Sequence, residues 1–207
     1  MKEEPQRIAG RLEGTLRIPD TESAAIVVIA HPLPTHGGSM RNPLMAFLAR
    51  SAAERGWYAL RFNFRGVGAS DGEWSGGREE HADLADAVEH ARAVARGLPL
   101  AVIGFSFGAL TTLRWIERGG RPDAYVLLGL PLRSEANEPR ADLPPVPAGA
   151  FVVNGEHDQF GTAAEVARAH PQARVVAIPG SDHFFTGKRE EMARLAMEHL
   201  ALALAIP

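Results

Sequence analysis

This sequence contains the three residue types that acyl transfer through a serine nucleophile requires, each after an apolar run. Ser106 lies at the centre of Gly104–Gly108, Asp158 follows an apolar run that ends at Asn154, and His183 follows a later one. A serine hydroxyl attacks a carbonyl carbon when a histidine accepts its proton and a carboxylate holds that histidine in the correct tautomer. The sequence therefore supplies a candidate nucleophile, a candidate base and a candidate acid.

The pattern Gly-x-Ser-x-Gly around Ser106 lies between a predicted strand, 100–105, and a predicted helix, 109–118. Glycine two residues before and two residues after the serine allows the strand and the helix to approach closely. Such a turn lifts the hydroxyl clear of the sheet, and the N-terminus of the following helix favours negative charge there. This setting predicts a nucleophile elbow.

A second match to the pattern, Gly68–Gly72 with Ser70 at its centre, competes with the first. With 21 glycines among 207 residues, a single match is weak evidence and its context must decide. The glycine-rich residues 71–77 that follow Ser70 do not open a helix at once, so this serine lacks the strand-turn-helix setting. We predict that Ser106 is the nucleophile and that Ser70 orders its own loop.

Two other carboxylates compete with Asp158 for the role of the acid. Asp182 is adjacent to His183, and neighbouring side chains in an extended loop diverge. Glu156 lies closer to the end of its predicted strand than Asp158 does, so the positions alone leave the choice between these two open.

The elements that must position these residues are short apolar runs that alternate with amphipathic helical periods. Strands are predicted at 11–18 (an edge strand), 24–30, 58–64, 100–105, 124–130, 150–154 and 174–178, and helices at 42–56, 78–96, 109–118, 162–170 and from about 188. This alternation predicts an α/β fold, a three-layer α/β/α sandwich with a mainly parallel sheet. In such sheets ligands bind beyond the carboxyl ends of the strands, which is where the candidate residues lie.

Composition limits the remaining possibilities. The length of 207 residues suits one domain, 1–207, and a formal charge of −3 gives no reason to expect nucleic acid or a membrane as partner. The chain has no cysteine, no signal peptide is recognisable and no apolar run is long enough to span a membrane, so a cytoplasmic protein is expected. His31 and His36 have no third ligand at a sensible spacing, so we expect no metal. We also expect no cofactor.

From end to end the chain resembles the α/β-hydrolase superfamily. The matching segments are His31–Pro34 with Gly37 and Gly38, residues 62–70, Gly104–Gly108, Gly155–Asp158 and Gly180–Phe184. It is most similar to small lidless bacterial predicted hydrolases with a His-Pro-x-Pro…Gly-Gly oxyanion loop. It is more distantly similar to dienelactone hydrolases, which have cysteine where Ser106 stands.

The resemblance implies an α/β-hydrolase fold without a cap domain and serine-hydrolase chemistry. It implies the chain order serine, acid, histidine, with Asp158 as the acid because the family segment ends Gly-x-x-Asp. It also implies an oxyanion hole of two backbone N–H groups, one from Phe107 directly after the nucleophile and one from the loop after the second predicted strand. Proline has no N–H, so Leu33 is the candidate donor among residues 32–34.

We therefore expect a hydrolase of small acyl esters that forms an acyl-enzyme. The predicted connection 131–149 is proline-rich and too short for a helical cap, so we expect an open, shallow site walled by Trp74, Phe184 and Phe185, with Leu132 as a further candidate. For each of these side chains, packing of loops onto the sheet is an equal alternative. Thioesterase or acyltransferase activity, a non-catalytic binding protein, and a monomer or a homodimer all stay open.

Overall fold

The computed structural model of the protein describes residues 1–206 and contains eight strands and five helices in that range. The strands are β1 Lys2–Ile8, β2 Leu12–Ile18, β3 Ile26–Ala30, β4 Tyr58–Phe62, β5 Leu100–Phe105, β6 Ala124–Leu128, β7 Phe151–Gly155 and β8 Arg174–Ile178. The helices are α1 Pro43–Glu54, α2 Glu80–Val94, α3 Phe107–Glu117, α4 Ala163–Ala169 and α5 Arg189–Leu204. Within residues 1–206, no helix combines the length and apolarity that crossing a membrane requires.

All eight strands form one sheet in the order β1-β2-β4-β3-β5-β6-β7-β8. The pairs β1–β2 and β2–β4 are antiparallel, and all other neighbours are parallel. Helices α1 and α5 cover one face of the sheet, and α2, α3 and α4 cover the other. The predicted three-layer α/β/α fold without a cap domain is therefore confirmed.

The core lies on both faces of the central strands because their side chains alternate between the two helix layers. In β3, Val27 and Ile29 pack with α1 and α5, whereas Ile26 and Val28 pack with α2. All five residues of β3 are buried, which is the pattern expected of a strand covered on both sides.

The N-terminal hairpin differs from the prediction. The segment 11–18 was expected to be the edge strand, but β2 is paired on both sides, and the edge is the unpredicted β1. In β1 only Ile8 is buried, so the strand carries almost no apolar signal. Pro5 suits an edge position, since proline cannot donate a ladder hydrogen bond.

The starts of α1 and α4 were predicted correctly, whereas α2 begins two residues later and α3 two residues earlier than predicted. The Asn42 side chain accepts the N–H of Leu44 at 2.9 Å ahead of Pro43, and Thr162 and Glu165 form a capping box at α4.

Glycines bring α3 against two strands at the carboxyl end of the sheet. A Cβ at Gly108 would lie 2.2 Å from the carbonyl oxygen of Ala30 at the end of β3. A Cβ at Gly104 would lie 2.4 Å from the carbonyl oxygen of Gly108. Only glycine permits these backbone contacts, so they fix where the helix begins relative to β3 and β5.

We expect Gly108→Ala to lower the free energy of unfolding by about 3 kcal/mol, because the new methyl group meets backbone that cannot move aside cheaply. Alanine would otherwise be favoured over glycine in a helix by about 1 kcal/mol. Gly149→Ala is the control: its φ of 76° is unfavourable for alanine, but a Cβ there has no atom within 4 Å. Urea unfolding should give a loss of about 1 kcal/mol for the control, and equal losses in the two variants would contradict the account.

Candidate active site

Ser106 lies on the sharp turn between β5 and α3. Its φ of 55° and ψ of −113° place a non-glycine residue in a sparsely populated region, at a cost of about 1–3 kcal/mol. The turn is held because the Ser106 N–H donates to the carbonyl oxygen of Leu128 on β6 at 2.8 Å. The hydroxyl lies at the N-terminus of α3, at the carboxyl end of the parallel strands.

His183 links this serine to a carboxylate. Its Nε2 lies 2.9 Å from Ser106 Oγ, and its Nδ1 lies 2.8 Å from Asp158 Oδ2. The imidazole is 2% exposed, with the rings of Phe105, Phe160 and Phe184 within 5.3 Å of it. The Asp158 contact assigns the Nδ1–H tautomer, which leaves Nε2 free to accept the serine proton.

Asp158 is almost fully buried, and each of its oxygens has a donor. Oδ2 faces His183, while Oδ1 accepts the N–H of Phe160 at 2.9 Å. The amide of Asn154 lies beside it: its Nδ2 donates to the carbonyl oxygen of Gly161 at 2.8 Å and approaches Asp158 Oδ2 at 3.4 Å. Asn154 thus ties the end of β7 to the loop that carries the aspartate.

Sequence reasoning missed Asn154. The available signal was an amide at the end of an otherwise apolar run, since a buried amide must find hydrogen-bond partners. Its Oδ1 also accepts the N–H of Leu130 at 2.9 Å, so the same side chain holds the segment after β6.

The two competing carboxylates are used elsewhere. Glu156 accepts the N–H of Gly180 at 2.8 Å. Asp182 accepts two N–H groups and the Thr186 hydroxyl from the turn that follows it. Burial opposes ionisation of Asp182, but the Thr186 hydrogen bonds outweigh it and lower the pKa of this carboxyl group. Of the three candidates, Asp158 is the carboxylate that contacts the His183 ring.

Ser70 stabilises a loop, as its sequence context predicts. Its hydroxyl donates to the carbonyl oxygen of Asn63 at 2.8 Å and accepts the N–H of Glu13 at 2.9 Å. Both partners are backbone groups, so this hydroxyl joins the 65–72 loop to β2 and to the end of β4.

Two backbone amides near Ser106 have no acceptor. Within residues 1–206, neither the Leu33 N–H nor the Phe107 N–H donates a hydrogen bond to the protein, and both residues line the cleft at Ser106. The carbonyl oxygen of Leu33 accepts the N–H groups of His36 at 3.2 Å and Gly38 at 3.0 Å, and these hydrogen bonds hold the loop in place. Unpaired amides in a fixed loop are suited to binding an oxyanion.

His31 supports the start of this loop rather than facing the cleft. Its Nε2 accepts the N–H of Phe64 at 3.2 Å, and its Nδ1–H donates to the carbonyl oxygen of Pro32 at 2.7 Å. Burial lowers the pKa of His31 to about 4, although the Pro32 hydrogen bond opposes the shift. The ring is therefore neutral at pH 7. His36, by contrast, is exposed and pairs with Glu135 at 2.7 Å.

A cleft with an empty volume of about 690 Å³, partly open to solvent, lies over Ser106. Phe184 lines it, as predicted. Trp74 and Phe185 do not line it, which corrects that part of the expectation. Phe185 is 1% exposed and packs in the core beneath the site, and Trp74 packs edge-on against the Phe107 ring at 4.9 Å.

The connection between β6 and β7 covers more of the site than its length suggested. Within this connection, Leu132 packs against the core side of α3 and α4 rather than lining the cleft. Pro131, Arg133, Glu135 and Arg140 from the same connection do line the cleft. Residues 129–150 contain no helix, so this wall of the site is irregular chain that carries charged side chains.

A mainly parallel sheet covered by helices on both faces, with a serine on a strand-to-helix turn and no cap domain, is the arrangement typical of lidless α/β hydrolases. The chain belongs to the alpha/beta hydrolase domain family, whose model matches residues 23–205. It is similar to an uncharacterized protein of Rickettsia prowazekii (strain Madrid E), with 28% identity over 92% of this chain and 84% of the relative.

Solved structures agree with this assignment. A serine hydrolase without a lid from Xanthomonas campestris aligns with a TM-score of 0.81 and 28% identity over 96% of this chain and 93% of its own. An alpha-beta serine hydrolase homologue from Coxiella burnetii aligns with a TM-score of 0.81 and 27% identity over 97% of both chains. These similarities support a hydrolase.

The neutral, buried state of His31 predicts a pH-dependent stability. In the folded protein the ring stays neutral down to about pH 4, whereas in the unfolded chain it binds a proton below about pH 6.5. The unfolded state therefore binds more protons between these values, and the stability falls as the pH is lowered through this window, by up to about 3 kcal/mol.

We expect His31→Gln to lose this contribution, so that its deficit relative to the wild type shrinks as the pH is lowered from 7.5 to 4.5. Urea unfolding at several pH values measures the difference. Wild-type and variant stabilities that run parallel across the range would show that His31 does not titrate as described.

Proposed function

We propose that the protein is a serine esterase that hydrolyses small acyl esters through Ser106, His183 and Asp158. One observation carries the proposal: the serine hydroxyl on a strained turn is hydrogen-bonded to a buried histidine, which is hydrogen-bonded in turn to a buried aspartate. Membership of a hydrolase family supports hydrolysis as the reaction. The preference for esters and the roles of the three residues are what the proposal adds.

In the acylation step, His183 Nε2 accepts the proton of Ser106 as Oγ attacks the ester carbonyl carbon. Asp158 stabilises the resulting imidazolium through the Nδ1–H hydrogen bond. The oxyanion of the tetrahedral intermediate accepts the N–H groups of Leu33 and Phe107, which need no reorganisation at that moment. The imidazolium then protonates the leaving alkoxide, and the C–O bond breaks to leave an acyl-serine.

In the deacylation step, water takes the position of the leaving alcohol. His183 accepts a proton from this water as its oxygen attacks the acyl carbon, and the same two amides bind the second oxyanion. The imidazolium returns a proton to Ser106 Oγ, which releases the carboxylic acid. The aromatic rings around His183 keep bulk water from the imidazole–carboxylate pair, which strengthens that interaction.

A cleft that is partly open to solvent favours small substrates over long acyl chains, and the exposed Phe184 ring offers an apolar contact at its rim. Transfer of the acyl group to a thiol or to an alcohol would use the same residues. A binding protein without turnover would have no use for a strained serine, since the strain lowers stability.

Ser106→Ala removes the nucleophile, so we expect the turnover of 4-nitrophenyl acetate to fall by a factor on the order of 10⁶. Ser70→Ala is the matched control, because it makes the same substitution in the second Gly-x-Ser-x-Gly segment. We expect it to lower the free energy of unfolding by about 1–2 kcal/mol through two lost hydrogen bonds while kcat stays close to the wild type. Full activity of Ser106→Ala, or loss of activity only in Ser70→Ala, would refute the assignment.

Asp158→Asn should lower kcat about 10⁴-fold, because the amide no longer stabilises the imidazolium or selects the productive tautomer. Glu156→Gln makes the same chemical change at the carboxylate that competes with Asp158 in the sequence, and we expect kcat to change by less than about threefold, the range of an exposed interaction. Steady-state measurements of kcat for both variants decide whether Asp158 or Glu156 is the acid. The acid would be misassigned if Glu156→Gln were the inactive variant.

A further inference from the structure

The cleft over Ser106 is lined by charged side chains to which the proposed ester hydrolysis assigns no role. Two arginines of the β6–β7 connection, Arg133 and Arg140, line it. Hydrolysis of a neutral ester requires no cation in the binding cleft, since the two amides already serve the oxyanion. The partners of each guanidinium therefore decide whether either one is available to a ligand.

Arg133 is already paired. Its guanidinium binds both carboxylate oxygens of Glu165 on α4, with Nη1 3.2 Å from Oε2. The Arg133 hydrogen bond is the main reason that the pKa of Glu165 is lowered to about 2, with hydrogen bonds from Thr162 adding to it. This pair carries no net charge and holds the β6–β7 connection against α4.

Arg140 is not fully paired. Its side chain is only 19% exposed, and its Nη1 donates to Asp142 Oδ1 at a long 3.3 Å. The same carboxylate also binds Arg114, whose Nη2 contacts the other oxygen. Two guanidinium groups therefore share one carboxylate, so Asp142 does not satisfy all the donors of Arg140.

The unsatisfied donors of Arg140 lie on one edge of its guanidinium. Within residues 1–206, Nε is buried without a hydrogen-bond partner and Nη2 donates to no protein atom. Leaving a buried donor unpaired is costly, and a charged one more so. Nε is enclosed by protein atoms, whereas Nη2 is unpaired without being buried, so Nη2 is the donor that a carboxylate oxygen in the cleft can reach.

We propose that Arg140 binds a carboxylate group of the substrate, so that the protein hydrolyses esters that carry a free carboxylate, such as dicarboxylic acid monoesters. This specificity rests on the esterase function proposed above. With Glu135 in the same cleft, a carboxylate of charge −1 is repelled less than a phosphate, whose second charge would need a further partner. Arg140 is a specificity-determining residue, and the bond-breaking steps at Ser106 are unchanged.

One negative charge opposes this binding. Glu135, from the same connection, also lines the cleft, and His36 holds it at the rim at 2.7 Å. A ligand carboxylate is repelled by Glu135 and attracted by Arg140. Removal of each charge should therefore change the preference for anionic substrates in opposite directions.

Two esters that differ only in charge test the specificity: the mono-4-nitrophenyl ester of adipic acid and its methyl ester, which is neutral. With Arg140→Gln we expect kcat/KM for the anionic ester to fall about 10- to 100-fold and that for the neutral ester to change by less than about threefold. Arg168→Gln, at an exposed arginine on α4, removes the same charge away from the cleft and should leave both values unchanged.

Glu135→Gln removes the negative charge and leaves Arg140 in place, so it should change the preference for the anionic ester in the opposite direction. It should raise the ratio of kcat/KM for the anionic ester to kcat/KM for the neutral ester about threefold. Equal losses for both esters in Arg140→Gln would make Arg140 a structural cation and overturn the proposal. A wild type that prefers the neutral ester would also overturn it.

Calorimetry separates this proposal from the esterase function. Monomethyl adipate, titrated into the Ser106→Ala protein, should bind at least about 10-fold more tightly than dimethyl adipate, and Arg140→Gln should abolish the difference. This result would support the carboxylate site even if the wild-type protein cleaved neither nitrophenyl ester. Equal binding of the two adipates, or no binding of either, would overturn the site even if simple esters were cleaved.

Discussion

The contact of α3 with the end of β3 determines the geometry of the whole site. It exists because Gly108 has no side chain, so the helix backbone reaches the carbonyl oxygens of Ala30 and His31. Ser106 lies two residues before Gly108, and the Leu33 amide lies three residues after Ala30. One backbone contact therefore fixes the distance between the Ser106 hydroxyl and an unpaired N–H from a separate loop, and the strain at Ser106 is sustained by the same packing.

The second half of the site depends on polar groups buried at the ends of β7 and β8. The register pairs Gly155 with Ile178, so the loops that carry Asp158 and His183 leave the sheet side by side. Asn154 joins the aspartate loop to the segment after β6, and aromatic rings surround the imidazole. The polar cluster is satisfied internally, which is why it can be buried and why the histidine has one orientation.

Sequence patterns predicted those parts of the molecule that depend on local chemistry. The β-branched runs predicted the central strands, the caps at Asn42 and Thr162 predicted helix starts, and the glycines around Ser106 predicted the turn. The prediction failed where the signal is not local. Strand β1 is an edge strand with polar residues on both faces. Phe184 and Phe185 are adjacent and identical in type, yet Phe184 is exposed and Phe185 is buried. The wall formed by Arg133 and Arg140 depends on contacts with Glu165 and Asp142, which no pattern within the proline-rich connection indicates.

The central claim, that Ser106 is a nucleophile activated by His183, is tested most directly by covalent capture of the serine. The native protein would be incubated with a fluorophosphonate probe and analysed by intact mass and peptide mapping. The account predicts one adduct per chain, on Ser106, whose rate of formation falls at least about 10³-fold in His183→Ala, because the hydroxyl then has no base. A folded protein that gives no adduct, an adduct on Ser70, or a rate that does not depend on His183 would contradict it.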